Sequence, residues 1–379
     1  MLLFADVLTP DGLAPHMSIQ ITDGLIQSVA PAASSVSLSA ASTLDLHGCI
    51  ASPGWVDLQF NGAFGLDFTD NPDALWEVAA RLTRYGVTAF LPTIITAPLE
   101  VYEYAIEVLR KGPPPGWQGA LPLGWHFEGP FLNPGKKGAH NPRYLLPPTP
   151  EAIRTWTAAN GVRLVTLAPE LPGAHALIRQ LCAQGVTVSA GHSLATYDEA
   201  RAAFDAGITS LTHLYNAMPP LAHRDPGLAG AVLTDARITA GLIADGVHCH
   251  PSMAALAWRM KGSHGIALVT DAMAALGMPP GTYRLGDFDV TVDETTARLP
   301  DGTLAGSILA LDQALRNMMA FTGGGVLDFL PALSTTPAAL IAWPDYGQIR
   351  PGSPANLTVV DRQGAVQAVI IAGRLLYMR

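Results

Sequence analysis

Cysteine and lysine are both scarce in this 379-residue chain. The three cysteines, Cys49, Cys182 and Cys249, are odd in number, far apart and in no CxxC arrangement. That points away from a disulfide framework or a structural zinc knuckle and fits a reducing compartment. Lysine occurs only at Lys111, Lys136, Lys137 and Lys261, and the formal net charge is −9. So acidic a chain is not expected to bind nucleic acid in bulk. No stretch reaches the roughly 18 uninterrupted apolar residues of a membrane span, so no membrane partner is expected. The opening residues Met1 to Asp6 lack a basic segment and a long apolar run, and a cytoplasmic location is the expectation. What is present is 49% hydrophobic and 14% charged residues, the composition of a globular protein with a large core.

Both ends of the chain read as short strands separated by turns. Near the N-terminus these cover 2–7, 18–22, 25–29 and 44–47, with turns such as Pro10-Asp11-Gly12. Near the C-terminus they cover 356–360 and 366–371. The middle alternates strand and helix patterns, which implies a parallel sheet. Eight strand candidates fall at 55–60, 88–92, 121–128, 163–167, 186–192, 210–214, 239–244 and 266–271. Helical patterns between them include 73–85, 99–111, 151–159, 174–184 and 197–206. Eight such units close a (β/α)8 TIM-type barrel. An open doubly wound sheet is the alternative, but no GxGxxG opens a helix. The expected fold is thus an α/β barrel over residues 51–344 with a small β-sandwich domain built from 1–50 and 345–379. Residues 293–302 read as a hairpin, either inserted late in the barrel or extending that domain.

Three strand ends carry potential metal ligands: Glu128 before Gly129-Pro130, His192 before Ser193, and His213 before Leu214-Tyr215-Asn216. One carboxylate and two imidazoles suit a catalytic zinc-type site with an open position for water. Singly, each has a plainer reading, a paired carboxylate or a hydrogen-bonded core histidine. Together, on strands three, five and six of a barrel, they favour the site. Asp271 ends the eighth strand after an apolar run, placed to move protons or simply to cap the next segment. On the first strand, period two puts Asp57, Gln59 and Asn61 on one face. Half the lysines fall on the loop 134–142, which also holds Ala139 and His140. With Asn216, Arg224 and His248 that loop reads as an anion pocket. Solvated surface groups are the plainer reading.

These motifs resemble the N-acetylglucosamine-6-phosphate deacetylase family of the amidohydrolase superfamily. The resemblance is carried by Ser52-Pro53-Gly54-Trp55-Val56-Asp57, His126-Phe127-Glu128-Gly129-Pro130-Phe131 and Lys136-Lys137-Gly138-Ala139-His140-Asn141-Pro142. It continues through Val165-Thr166-Leu167-Ala168-Pro169-Glu170, Ser189-Ala190-Gly191-His192-Ser193 and Thr212-His213-Leu214-Tyr215-Asn216-Ala217-Met218-Pro219. Ala244-Asp245-Gly246-Val247-His248 and Val269-Thr270-Asp271-Ala272 complete it, from about residue 50 to 310.

By that resemblance, Glu128, His192 and His213 bind one divalent metal per subunit, zinc first, with iron or cobalt as alternatives. Asp271 is the catalytic base and acid, and His140 polarises the acetyl carbonyl. Ala139, His140, Asn216, Ala217, Arg224, His248, Leu304, Ala305 and Gly306 contact the amino-sugar phosphate. A homodimer is implied, with Arg224 or His248 reaching the neighbouring subunit's site. Many amidohydrolases carry His-x-His at the end of strand one; here the sequence is Gln59-Phe60-Asn61. Neutral amides are poor ligands beside imidazole. One metal is therefore expected, with Gln59 and Asn61 supporting its water or its surroundings. The implied reaction is hydrolysis of N-acetyl-D-glucosamine 6-phosphate to glucosamine 6-phosphate and acetate. Hydrolysis of a cyclic amide or N-acyl amino acid, or a silent sugar-phosphate sensor, are the alternatives.

Overall fold

The computed structural model describes residues 1–32, 42–343 and 346–379. The central alternation folds as eight parallel strands hydrogen-bonded in chain order. They are Trp55–Phe60, Val87–Ile94, Trp125–Glu128, Val162–Leu167, Thr187–Ala190, Ser210–Leu211, Thr239–Ile243 and Ile266–Val269. The first three are buried at every position, as expected where side chains fill the barrel on one face and meet helices on the other. A bridge between Phe60 and Ala272 joins the first strand to the end of the eighth. There the Asp271 amide donates to the Gln59 carbonyl at 2.9 Å and the Asn61 amide to the Ala272 carbonyl at 2.8 Å. This closure brings Asp271 beside Gln59 and Asn61, which lie far away in sequence.

Two local expectations change. The third strand does not run unbroken from 121: Leu121–Pro122 pairs separately with the second strand, and Gly124, at φ +144°, breaks the run before Trp125. The helix expected at 151–159 is replaced by two 3-10 turns, Pro150–Ile153 and Ala158–Asn160. Trp156 between them is fully buried, its ring 4.8 Å from Phe127 and 5.0 Å from Tyr102. Thr157 then takes the Asn160 amide on its side chain, a local bond that competes with helix. The helix Tyr197–Ala206 forms as read, its start fixed by a reciprocal Thr196–Glu199 capping box.

Both termini build one seven-stranded sheet, in which Leu2–Thr9 and Thr43–Pro53 run parallel and Leu357–Val360 pairs antiparallel with the latter. Its own core includes Leu3, Ile19, Ile26, Val359 and Ile370. The strand Arg374–Met378 at its edge had no sequence expectation. The sheet continues past residue 50 to Pro53; the expected second boundary, at 344–345, lies outside the described residues.

The hairpin signal at 293–302 belongs to a three-stranded insert, Gly281–Leu285, Phe288–Val292 and Ala297–Arg298. Leu285, Val290 and Val292 pack with Ile95, Ala139 and Met273, so the insert covers the barrel mouth and does not extend the terminal sheet. Buried Asp67 holds it: Oδ1 accepts the amides of Asp70 at 2.9 Å and Gly286 at 3.2 Å. Burial pushes this carboxyl up to about 7. The folded state thus retains a proton that the unfolded chain loses above its ordinary value of 3.8. Stability from this group falls as pH rises from 3.8 through about 7, on the order of 4 kcal/mol in all. Asp67→Asn keeps the acceptor and loses the charge. Its melting temperature should match wild type near pH ~4 and exceed it near pH ~8. A melting difference that does not change with pH would refute this.

Candidate active site

At the carboxyl ends of the strands, three side chains converge. His192 Nε2 and His213 Nε2 lie 3.2 and 3.1 Å from Glu128 Oε1, and 3.0 Å from each other. Glu128, His192 and His213 are all at most 5% exposed. His192 Nδ1 sits 2.8 Å from the Lys136 carbonyl, which can only accept, so Nδ1 carries the proton and Nε2 presents a lone pair. Electron-rich atoms this close need positive charge among them. Two imidazolium rings facing at 3.0 Å would repel each other. A single cation suits the set: bonds of 2.0–2.1 Å at tetrahedral angles separate ligand atoms by ~3.3 Å. Burial alone would raise the Glu128 carboxyl. Contact with the His192 and His213 imidazoles outweighs burial and holds it well below the usual range. The same carboxylate raises His213 against the effect of burial.

His140 also borders this group, and Glu128, His140 and His192 could themselves hold an ion. Its geometry favours another part. His140 Nε2 stands 4.0 Å from Glu128 Oε2, farther than the other two imidazoles. Its Nδ1 accepts the Thr96 amide at 3.1 Å, so the proton of the neutral ring is on Nε2 and points into the site. Burial, and then the nearby His192, hold its pKa well below the ordinary value, so the ring stays a neutral donor.

Asp271 faces the cluster from the eighth strand. Its Oδ1 accepts from Asn61 Nδ2 at 2.7 Å and Gln59 Nε2 at 3.1 Å, and Gln59 Nε2 also reaches Glu128 Oε1 at 3.0 Å. Burial first, and the Glu128 charge second, push Asp271 up to about 6. A carboxyl there can both take and return a proton near neutral pH. Asp57, the third polar residue of that face, instead accepts from Thr270 Oγ1 at 2.6 Å and stabilises the strand end.

The backbone is strained at these positions. His192, His213 and Asp271 have φ of +48°, +32° and +51°, and Tyr215 and Ala217 have +76° and +49°. Non-glycine residues adopt such values rarely, and they cluster where a site fixes them. Gly138 meets the opposite need. At φ +55°, a Cβ there would come 3.2 Å from the His192 ring.

A cavity of about 380 Å³ opens over the cluster. Asn61, Ala139, His140, Asn216, Ala217, His248, Leu304 and Gly306 line it with Glu128, His192, His213 and Asp271. Ser307 brings the 302–306 loop there, its amide bonded to the Asp271 carbonyl at 2.8 Å. Asp245, not singled out before, receives His248 Nδ1 at 2.6 Å and the Val247 and His248 amides at 2.8 Å, which fixes the ring's direction. Three expected residues sit elsewhere. Gln59 lies beneath the cavity, joining Glu128 to Asp271. Ala305 packs behind the wall with the insert's core. Arg224 is exposed on a loop outside the lining. Arg298 of the insert does line the cavity, and its only sequence signal was the surrounding hairpin.

A closed β/α barrel with a carboxylate, two imidazoles and an opposed aspartate at its carboxyl face defines a hydrolase of the amidohydrolase type. The amidohydrolase family model matches residues 50–376. The chain is 40% identical to a Bos taurus N-acetylglucosamine-6-phosphate deacetylase, over 88% of this chain and 85% of that one. It is 38% identical to an Escherichia coli O157:H7 N-acetylgalactosamine-6-phosphate deacetylase, over 97% of each. A solved Mycobacterium smegmatis N-acetyl-D-glucosamine-6-phosphate deacetylase, an aspartate-to-alanine variant in complex with N-acetyl-D-glucosamine-6-phosphate, superposes with a TM-score of 0.90. It is 35% identical and the match covers 100% of this chain and 99% of that one. The chain belongs to the amidohydrolase family and, within it, to the N-acetylglucosamine-6-phosphate deacetylase family.

Proposed function

We propose that the chain hydrolyses the acetamide of N-acetyl-D-glucosamine 6-phosphate, giving D-glucosamine 6-phosphate and acetate. The observation that carries this reading is the convergence of Glu128, His192, His213 and Asp271 at one cavity, within a family of deacetylases. Glu128 Oε1 and the Nε2 atoms of His192 and His213 would hold one divalent metal, zinc first, with iron or cobalt as alternatives. Such an ion supplies Lewis acidity and a nucleophilic water near neutral pH.

The protein groups divide the remaining work. Asp271 takes a proton from the attacking water and returns it to the leaving nitrogen. Gln59 and Asn61 hold its Oδ1 in place for both transfers. His140 Nε2–H donates to the acetyl oxygen as negative charge develops there, and its second nitrogen is already fixed by Thr96. Asn216, Ala217, His248 and the 304–306 loop grip the sugar and phosphate, far from the scissile bond. That grip supplies orientation. Arg224, exposed and outside the cavity lining, serves the neighbouring subunit's site in a homodimer. No helix among the described residues is long and apolar enough to cross a membrane, and a cytoplasmic place fits a sugar-phosphate substrate.

Acetate release from the phosphorylated and unphosphorylated amino sugar, with metal assayed on the same sample, tests this reading. Release at least ~100-fold more efficient from the phosphorylated sugar is expected, as for loss of one charge-assisted anion contact or more. Equal rates on both would remove the anion pocket. The galactosamine-type relative favours assaying the galacto epimer in parallel. Faster turnover of that epimer would move the substrate within the same class.

A further inference from the structure

Glu170 follows the fourth barrel strand and does not line the cavity. Its carboxylate collects three hydrogen bonds from two other loops. Oε1 accepts from Asn133 Nδ2 at 2.9 Å and the Leu194 amide at 2.6 Å; Oε2 accepts from Ser193 Oγ at 2.6 Å. Among the described residues no lysine or arginine forms an ion pair with it, so its charge is met by neutral donors. Hydrogen bonds to an ionised acceptor are about twice as strong as neutral ones.

The contacts form a closed circuit. The Asn133 amide donates to the His192 carbonyl at 2.9 Å, and Asn133 Oδ1 accepts the Gly135 amide at 2.9 Å. His192 Nδ1 returns to the Lys136 carbonyl at 2.8 Å, and Ser193 and Leu194 lead back to Glu170. His192 stands inside this circuit at φ +48°, a conformation that persists only where surroundings impose it. The loop it clasps goes on to His140.

We propose that Glu170 is a positioning residue that locks the loop from Asn133 to His140 onto His192, so that both histidines are set as one unit. This rests on the reading that His192 holds the metal.

The test uses zinc-loaded wild type, Glu170→Gln, Glu170→Ala, Asn133→Ala and the double alanine variant. Zinc loss to a chelating dye, kcat and KM, and melting of the zinc-free forms are read for each. Glu170→Ala should release zinc roughly tenfold to a hundredfold faster and lose a similar factor in kcat/KM. Glu170→Gln, which keeps one acceptor oxygen without the charge, should recover part of both. The two alanine changes should be non-additive, because either opens the same circuit. Unchanged zinc release and kinetics in Glu170→Ala, or strictly additive changes, would overturn the proposal. If Glu170→Ala does not fold, Glu170→Gln and Asn133→Ala carry the comparison. Wild type that binds no stoichiometric zinc would instead sink the metal reading. The clamp would then be judged by amide exchange, which must quicken together at Gly135 and Leu194 in the Glu170 variants.

Discussion

Asp271→Asn is expected to bind substrate nearly as wild type does and to release acetate about 10³-fold more slowly, the scale of a lost general acid–base group. The substitution is chosen because it changes little else. Asn Oδ1 can still accept from Asn61 and Gln59, which now lie 2.7 and 3.1 Å from Asp271 Oδ1. The bridge between Phe60 and Ala272 runs through backbone and does not depend on the carboxylate. What disappears is a group that can take a proton from water and give it to nitrogen. KM should therefore move within a few-fold while kcat falls, the signature of an interaction needed only in the transition state. A kcat within about tenfold of wild type would remove Asp271 from the proton path. A large rise in KM with kcat kept would instead make it a binding residue.

Much of this site was legible before folding, for a physical reason. In a parallel barrel the active face lies where strands end, so an apolar run that stops at a titratable residue is a positional signal. Glu128, His192, His213 and Asp271 each end such a run, and all four line one cavity. Period two likewise placed Gln59 and Asn61 on one face, and both reach Asp271. Other features come from tertiary contact and leave no local trace. The third strand breaks at Gly124, because that residue takes a φ of +144° inside an apparently continuous pattern. Residues 151–159 have a helical composition, yet Trp156 is drawn against Phe127 and Tyr102 and the chain turns twice instead. The left-handed backbone at His192 and His213, with φ of +48° and +32°, leaves no mark in the local sequence pattern. Arg224 shares a stretch with Asn216 in sequence, but the loop between carries it out to solvent. Arg298 enters the cavity only because the insert folds over the mouth and packs on Ile95 and Ala139.

Glu128→Gln should lose bound metal and with it at least ~10³-fold in acetate release, even though one oxygen becoming nitrogen is nearly isosteric. Glu128 Oε1 is the point on which His192, His213 and Gln59 all converge, at 3.2, 3.1 and 3.0 Å. An amide there removes the only negative charge among the three proposed ligands and offers a weak donor in its place. Two neutral imidazoles remain, and two are fewer than the three protein ligands of catalytic zinc sites. The fold should survive, since Glu128 lies at a strand end and the layer below it, His126, Thr166, Thr212 and Ser189, is bonded within itself. Metal content by elemental analysis, melting temperature and acetate release on one preparation separate the outcomes. Full metal occupancy with activity lost would keep Glu128 in the site but not as a ligand. Full occupancy with activity retained would move the ligand set to the imidazoles, with His140 the third, since its Nε2 already stands 4.0 Å from Glu128 Oε2.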